Sequence, residues 1–351
     1  MSNLCDVGVD PRTWYPAVRT SSLKVGTSQE VKFQERSFVV YKDPDGGIHC
    51  AENACAHRQV ALSEGTVSGC RLVCPYHGWE FDPDGSLAKV PYWPADRPIP
   101  KVRIKTYPTL VRGGIVWFLP EPGETLPPLP QGTEEWETPE WFSFELDQAF
   151  DNHYGIGLIN GMDYFHFHLH REYQPWSDIQ LKDLEAEEGR VCGTYEVATG
   201  KSRPERVLRQ LLGSDSSAEE VVNTLKVHYH YPHHVAELGD GMRVIVSFRP
   251  ESRERVAVFI TMYVKAHGWQ RQVRKVFEPA FRRLVLSRIQ KQDAWIGRIE
   301  QEAWETRPDE PRCELNPVAA AAERLMRSSW RAYQEQSGAP VKARLAEAVV
   351  S

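Results

Sequence analysis

From residue 31 to 120 apolar and polar residues alternate in short runs separated by turn formers, the period-two pattern of half-buried strands. VKFQERSFVVY is followed by a turn at Asp43 to Gly47 and then IHCAEN. WEFD and SLAK flank PDG, and TLVR and IVWFLP flank Gly113 and Gly114. This spacing predicts successive hairpins in a small all-β domain. Pro120, Pro122, Pro127, Pro128 and Pro130 then withdraw the backbone donors that strand pairing needs, which predicts a connector and two domains, 1–125 and 126–351. Past it, 152–171 reads as helical, and RVIVSFRP and RVAVFITMYVK alternate about the turn ESRE. A long helix is expected over 271–304, its apolar stripe formed by Phe277, Phe281, Leu284, Val285, Ile289, Ile296 and Ile299. The expected class is α+β, an N-terminal all-β domain followed by an antiparallel sheet flanked by helices. Residues 201–223 carry weak periodicity and are expected to form a mobile flap. No internal repeat is visible.

Composition narrows the function classes. With 351 residues, 41% of them hydrophobic, the chain can bury two ordinary cores. A formal net charge of -6 gives no basic excess for nucleic acid or anionic lipid, so neither is expected as a partner. The first residues lack the charged start and apolar run of a signal peptide, and no later stretch is long and apolar enough to span a bilayer, so a cytoplasmic protein handling small molecules is expected. Seven scattered cysteines, an odd number, do not suggest a disulfide framework.

The cysteines that fall in pairs with histidines carry the strongest signal. Cys55-Ala-His57 is followed by Cys74-Pro-Tyr-His77-Gly-Trp, each in a turn-like loop. Two thiolates and two imidazoles make a metal site, and zinc accepts that set as well as iron does. Further along, Asn160-Gly-Met-Asp163-Tyr-Phe-His166-Phe-His168-Leu-His170 places His166 and His170 four apart and Asp163 three before His166, so on a helix the three share a face. Two such histidines and one carboxylate would complete a triad that leaves iron positions open for oxygen. Asp293 lies along the apolar side of the long helix, where a bare carboxylate is costly unless paired or metal-bound, which makes it the leading third ligand, with Glu300 as fallback.

These motifs resemble the Rieske family, whose pattern is C-x-H followed by C-x-x-H with glycine and an aromatic residue after the second histidine. The resemblance implies a [2Fe–2S] cluster held by Cys55 and Cys74 on one iron and His57 and His77 on the other. Respiratory Rieske proteins carry extra cysteines beside each pair. Here Arg58 and Tyr76 stand at those places, so the resemblance is to the oxygenase-type cluster, with Cys50 and Cys70 expected as buried thiols. Rieske oxygenases carry, after the cluster domain, an Asn, an Asp-x-x-His and a second histidine usually five positions on. Arg171 stands at that fifth position and cannot ligate, so His166 and His170 are taken as ligands with His168 in reserve. The Gln292-Asp293 pair matches the family's C-terminal carboxylate context.

The resemblance further implies that Asn160 belongs to the catalytic segment. It implies too that Asp163 bridges a cluster histidine of one subunit to an iron-binding histidine of the next, commonly in a head-to-tail homotrimer. The cofactors are then the cluster and Fe(II), with electrons from NAD(P)H through a separate ferredoxin or flavin reductase. The expected reaction is monooxygenation of a small organic substrate by O2, as hydroxylation or demethylation. Desaturation or oxidative cyclisation at the same centres, an electron-transfer protein without a working mononuclear iron, and a zinc-stabilised module are the alternatives. His228, His230 and His234, expected on one side of a strand, could line a pocket. Arg58 and Arg71 could present charge to an acidic donor protein.

Overall fold

The computed structural model describes residues 3–130, 132–173, 176–199, 221–266, 272, 276 and 278–337. The expected flap falls almost wholly outside them, as does Phe277. Two compact units form: one from Pro11–Glu134, the other from Met1–Asp10 with Glu135–Ser351. The expected boundary after residue 125 therefore moves to 134. The Pro-rich passage stays with the first unit because Arg112 ties it down, donating to the Pro130 carbonyl (2.7 Å) and to Glu134 (2.9 Å). The first ten residues join the second unit, where Asn3 donates to the Trp304 carbonyl (3.1 Å).

The 11–134 unit holds β1 (Tyr15–Arg19), β2 (Ser28–Phe33), β3 (Arg36–Lys42), β4 (Ile48–Glu52), β5 (Thr66–Ser68), β6 (Arg71–Val73), β7 (Glu80–Phe81), β8 (Leu87–Lys89), β9 (Thr106–Tyr107), β10 (Thr109–Arg112) and β11 (Ile115–Phe118). They make three small antiparallel sheets, β1-β11-β10, β2-β3-β4-β9 and β5-β6-β7-β8. The hairpins expected from alternation appear as β2–β3–β4, β7–β8 and β10–β11, each joined by the turn residues that marked it. One core runs from Val39 and Tyr41 through Cys55, Leu72 and Cys74 to Phe81 and Ile104, so both cysteines of the motif are embedded in packed apolar side chains.

The other unit is built on one eight-stranded antiparallel sheet made by β12 (Trp141–Glu145), β13 (Gln148–Phe150), β14 (Trp176–Glu187), β15 (Arg190–Thr199), β16 (Val221–His230), β17 (His233–Leu238), β18 (Met242–Ser252) and β19 (Arg255–Lys265), in the order β12-β19-β18-β17-β16-β15-β14 with β13 also on β19. Directly paired residues share a face. Tyr229, His234, Val246 and Ile260 pair in sequence across four strands and so lie on one face. That face packs against helices α1 (Tyr154–Met162), α2 (Ser287–Thr306) and α3 (Pro317–Ser337). The opposite face carries Val235, Ile245 and Tyr263 under Trp136 and Trp141. The architecture is the expected α+β one. His234 does not accompany His228 and His230: the turn after His230 shifts the side-chain parity, and His228 faces away from the helices toward Glu237 (3.4 Å).

The long helix differs from expectation. Its inward side is Leu286, Gly297, Gln301 and Trp304, whereas Leu284 and Ile299 of the expected stripe are exposed. A π-helical stretch at Arg282–Leu286 precedes α2 and offsets the register that a uniform 3.6 period assumes. Asp293 stays on the inward side, one turn before Gly297. Gly297 is small for a reason: a Cβ there would lie 2.2 Å from Asn152 Nδ2, at the base of α1. Gly297→Val should therefore push α2 outward and misplace Asp293. About 1–3 kcal/mol of stability should go with it. Titration of the purified chain with Fe(II) should show weakened binding at the histidine–aspartate site, while the visible absorption of the iron–sulfur site is unchanged.

Candidate functional site

The Cys/His motifs form two matching loops. Cys55 N–H donates to the Val60 carbonyl (2.9 Å) and its carbonyl accepts from Gln59 (2.8 Å). Cys74 N–H donates to the Trp79 carbonyl (2.8 Å) and its carbonyl accepts from Gly78 (3.1 Å). Each loop needs left-handed backbone at the residue four past its cysteine, with φ of 58° at Gln59 and 67° at Gly78; glycine meets this freely and Gln59 under strain. The cysteines are buried, while His57 and His77 are exposed, their rings 4.8 Å apart and His57 stacked on Trp79 at 4.8 Å. Burial pushes the Cys55 thiol up to about 11 with the Cys74 thiol beside it, so thiolates form there only against the charge of a bound metal. Desolvation, then the positive surroundings of His57 and Arg58, draw His77 below the usual range.

This donor set fits a two-iron cluster. The thiols meet each other on the buried side and the imidazoles meet on the exposed side, one pair for each iron. All seven cysteines are free, so no disulfide spans the loops. Cys50 is buried as expected, but Cys70 is exposed at the β5–β6 turn. Arg71 is engaged by Asp82 (2.8 Å) and Glu80 (3.4 Å), which offset its charge; Arg58 lies exposed over the Tyr76 ring at 5.9 Å.

The second constellation is carried by a helix that breaks. The expected continuous helix over 152–171 stops at Met162. Asp163 closes α1 and opens a 3₁₀ helix over Tyr164–His170, its Oδ1 accepting from Phe165 N–H (3.0 Å). Among the described residues, His166, His170 and Asp293 form the only set of three or more metal-ligating side chains whose donor atoms all lie within 4.8 Å of one another. His170 Nε2 is 3.1 Å from His166 Nε2 and 3.1 Å from Asp293 Oδ1, with His166 Nε2 at 3.6 Å from that oxygen.

The outer contacts set the tautomers. His170 Nδ1–H donates to Gln292 Oε1 (2.9 Å), and His166 Nδ1–H points at the main-chain carbonyl of Asp163, so each ring turns an Nε2 lone pair inward. Asn160 Nδ2 donates to Asp293 Oδ1 (3.1 Å). Two nitrogen lone pairs and a carboxylate facing one point repel without a cation between them, and this is the donor set of a two-histidine, one-carboxylate iron site with open positions. Burial disfavours charge on His170, but the Asp293 carboxylate outweighs it and raises the imidazole above its usual range.

The reserve and fallback ligands and the expected bridge lie as follows. His168 lies outside the trio, exposed, with Arg171 donating to its Nε2 (2.9 Å); two positions from both His166 and His170, it projects from another side of the turn. Glu300 accepts from Trp304 Nε1 (3.2 Å) and takes no part in the trio. The Asp163 carboxylate does not touch His166; its Oδ1 is held by Phe165 N–H and by Asn316 Nδ2 (2.6 Å), and its main-chain carbonyl serves the ring instead. Two residues at the site escaped sequence reasoning as partners. Gln292 was visible only as the neighbour of Asp293. Asn316 was visible only as the residue before Pro317, a helix-start signal that says nothing of its contact with Asp163.

Comparison with known proteins agrees with this geometry. Residues 13–108 match the Rieske [2Fe-2S] domain family. Over 94% of the chain and 90% of the other protein, the sequence is 27% identical to 4beta-methylsterol monooxygenase of Methylococcus capsulatus. Chlorophyllide a oxygenase of Arabidopsis thaliana is 34% identical over 155 residues, but these are 44% of this chain and only 27% of that protein. The crystal structure of dicamba monooxygenase bound to dicamba superimposes with a TM-score of 0.77 at 17% identity, covering 95% of this chain and 100% of that one, which is a likeness of fold. The fold and the two constellations define an iron–sulfur oxidoreductase. Residues 13–108 are a Rieske [2Fe-2S] domain, and the chain as a whole has the fold of solved Rieske-type oxygenases. No helix among the described residues is long and apolar enough to cross a membrane.

Proposed function

We propose that the chain is a monooxygenase that hydroxylates or demethylates a small organic substrate. The observation that carries this is the convergence of His166, His170 and Asp293 in a chain whose residues 13–108 match the Rieske domain. The likeness to a sterol monooxygenase over nearly the whole length supports insertion of a single oxygen atom. The balanced reaction takes substrate, O2, two electrons and two protons to hydroxylated product and water.

The cluster and Fe(II), when bound, would supply single-electron transfer and activation of O2 respectively. The protein's own contribution divides between the two units. In 11–134, Cys55 and Cys74 anchor the cluster on the buried side, and His57 and His77 form the exposed edge through which a ferredoxin or flavin reductase, drawing on NAD(P)H, delivers electrons. In the unit containing 135–351, His166, His170 and Asp293 hold iron, with Asn160 and Gln292 fixing two of the ligands so that coordination positions stay open. In a head-to-tail homotrimer Asp163 would stand between a cluster histidine of a neighbouring subunit and His166, hydrogen-bonding the one by its carboxylate and the other by its main-chain carbonyl, and so would couple the two centres.

The test is turnover with isotopically labelled O2, a reductase and NADPH against a panel of methylsterols and methoxylated aromatics. One labelled atom in product and one in water supports the proposal. Two labelled atoms in product would make it a dioxygenase. Substrate dehydrogenated without label would favour desaturation, and electron acceptance with no substrate oxidised would leave an electron carrier.

A further inference from the structure

We infer that Asn316 is a positioning residue for electron passage, fixing the Asp163 carboxylate so that one oxygen is presented outward. This rests on the reading of Asp163 as the bridge between centres. Asn316 is 2% exposed and immediately precedes α3. Its Oδ1 accepts twice, from Val318 N–H (3.0 Å) and from the Tyr195 hydroxyl (3.2 Å). Burial pushes that hydroxyl above its usual range, so it remains protonated and donates. Two donors on one side leave the amide a single orientation, with Nδ2 toward Asp163 Oδ1 at 2.6 Å.

Capping α3 does not explain this residue. Serine, threonine or aspartate would accept from Val318 N–H equally well. Only an amide joins that acceptor to a donor for a carboxylate on its far side. The consequence falls on Asp163. Its Oδ1 is held from two directions, by Phe165 N–H and by Asn316 Nδ2, whereas its Oδ2 has no hydrogen-bond partner among the described residues. Its carbonyl meanwhile faces His166 Nδ1. One residue thus offers a carboxylate oxygen left without a partner among the described residues and a contact to an iron ligand, and Asn316 with Tyr195 ties the carboxylate to β15 of the sheet.

The experiment uses the cluster- and iron-loaded full chain, reduced without air and mixed with oxygenated buffer while loss of the reduced-cluster signal is followed. Asn316→Ser keeps the cap but cannot reach Asp163; Asn316→Asp keeps the cap and sets a like charge against it. Asp163→Asn is the reference. Both Asn316 variants should reoxidise about tenfold or more slowly, in line with losses at outer partners of metal ligands. Iron, sulfide and cluster reduction potential should match wild type, while melting temperature falls in both variants because a buried amide partner of Asp163 is lost. Wild-type rates in both variants alongside a slow Asp163→Asn overturn the inference and leave the bridge standing. A fast Asp163→Asn overturns the bridge itself. Loss of iron in proportion to loss of rate also overturns the inference, since Asn316 would then serve the iron site and not the transfer.

Discussion

Asp293→Ala should lower the iron of anaerobically purified protein from about three atoms per chain to about two, with acid-labile sulfide unchanged at about two. The reason is geometric. Asp293 Oδ1 is the one charged donor in the trio, 3.1 Å from His170 Nε2 and 3.6 Å from His166 Nε2. Without it two neutral imidazoles remain, and the Asn160 amide loses its acceptor. The cluster residues lie in the other compact unit and hold their metal independently, so visible absorption should persist. Substrate oxidation should fall by more than the roughly 10–100-fold seen when only an outer partner of a metal ligand is removed. Three irons retained in the variant would refute the assignment. Two irons in the wild type as well would point to an electron carrier, and zinc without sulfide would dismiss oxygen chemistry altogether.

A second large effect is expected in acid. His153 and His234 are buried, and desolvation draws their imidazoles down to about 4 and about 3, aided by the charges of Arg253 and Arg327 at His153 and by His233 at His234. Both are neutral in the folded chain. Below about pH 6.5 the unfolded chain takes up protons that the folded one refuses, so stability present at neutral pH is lost on acidification, levelling off only near pH 4 to 3. Each histidine contributes a slope of about 1.4 kcal/mol per pH unit within that window. His170 runs the other way when metal-free, because its raised imidazole favours the folded state below pH 6.5, so the comparison belongs on iron-loaded protein.

His153→Asn gives a clean control. His153 Nδ1 caps α1 by accepting from Gly155 N–H (3.0 Å), and asparagine caps as well without titrating. Urea midpoints at pH 7.5, 6 and 5 should fall less steeply for His153→Asn and for His234→Phe than for wild type. Parallel curves would mean that these rings are hydrated and free to charge.

What was legible in the chain depends on how far each constellation extends along it. The cluster loops are local: each closes within five residues by its own backbone hydrogen bonds, so Cys55, His57, Cys74 and His77 declare themselves by spacing. Alternation likewise announced the hairpins of both units, because side-chain period two is a property of the strand itself. The helix over 152–171 was legible as an element but not in its interruption, since nothing in its apolar pattern records that Asp163 is called upon to cap a new turn.

Tertiary structure decided the rest. His166 and His170 become partners of Asp293 only when α2 seats against α1 at Gly297, while His168 projects elsewhere and is taken up by Arg171. The parity shift that parts His234 from His228 is set by a turn, and the exposure of Leu284 and Ile299 by a π-helical offset. Asn316 reaches Asp163 across 153 positions of sequence. The sequence by itself determined which local units form and which side chains are offered as metal donors, because propensity, period and motif act over a few residues. Which donors meet, and which oxygen of a carboxylate remains open, followed from packing between distant elements, whose geometry no short-range pattern encodes.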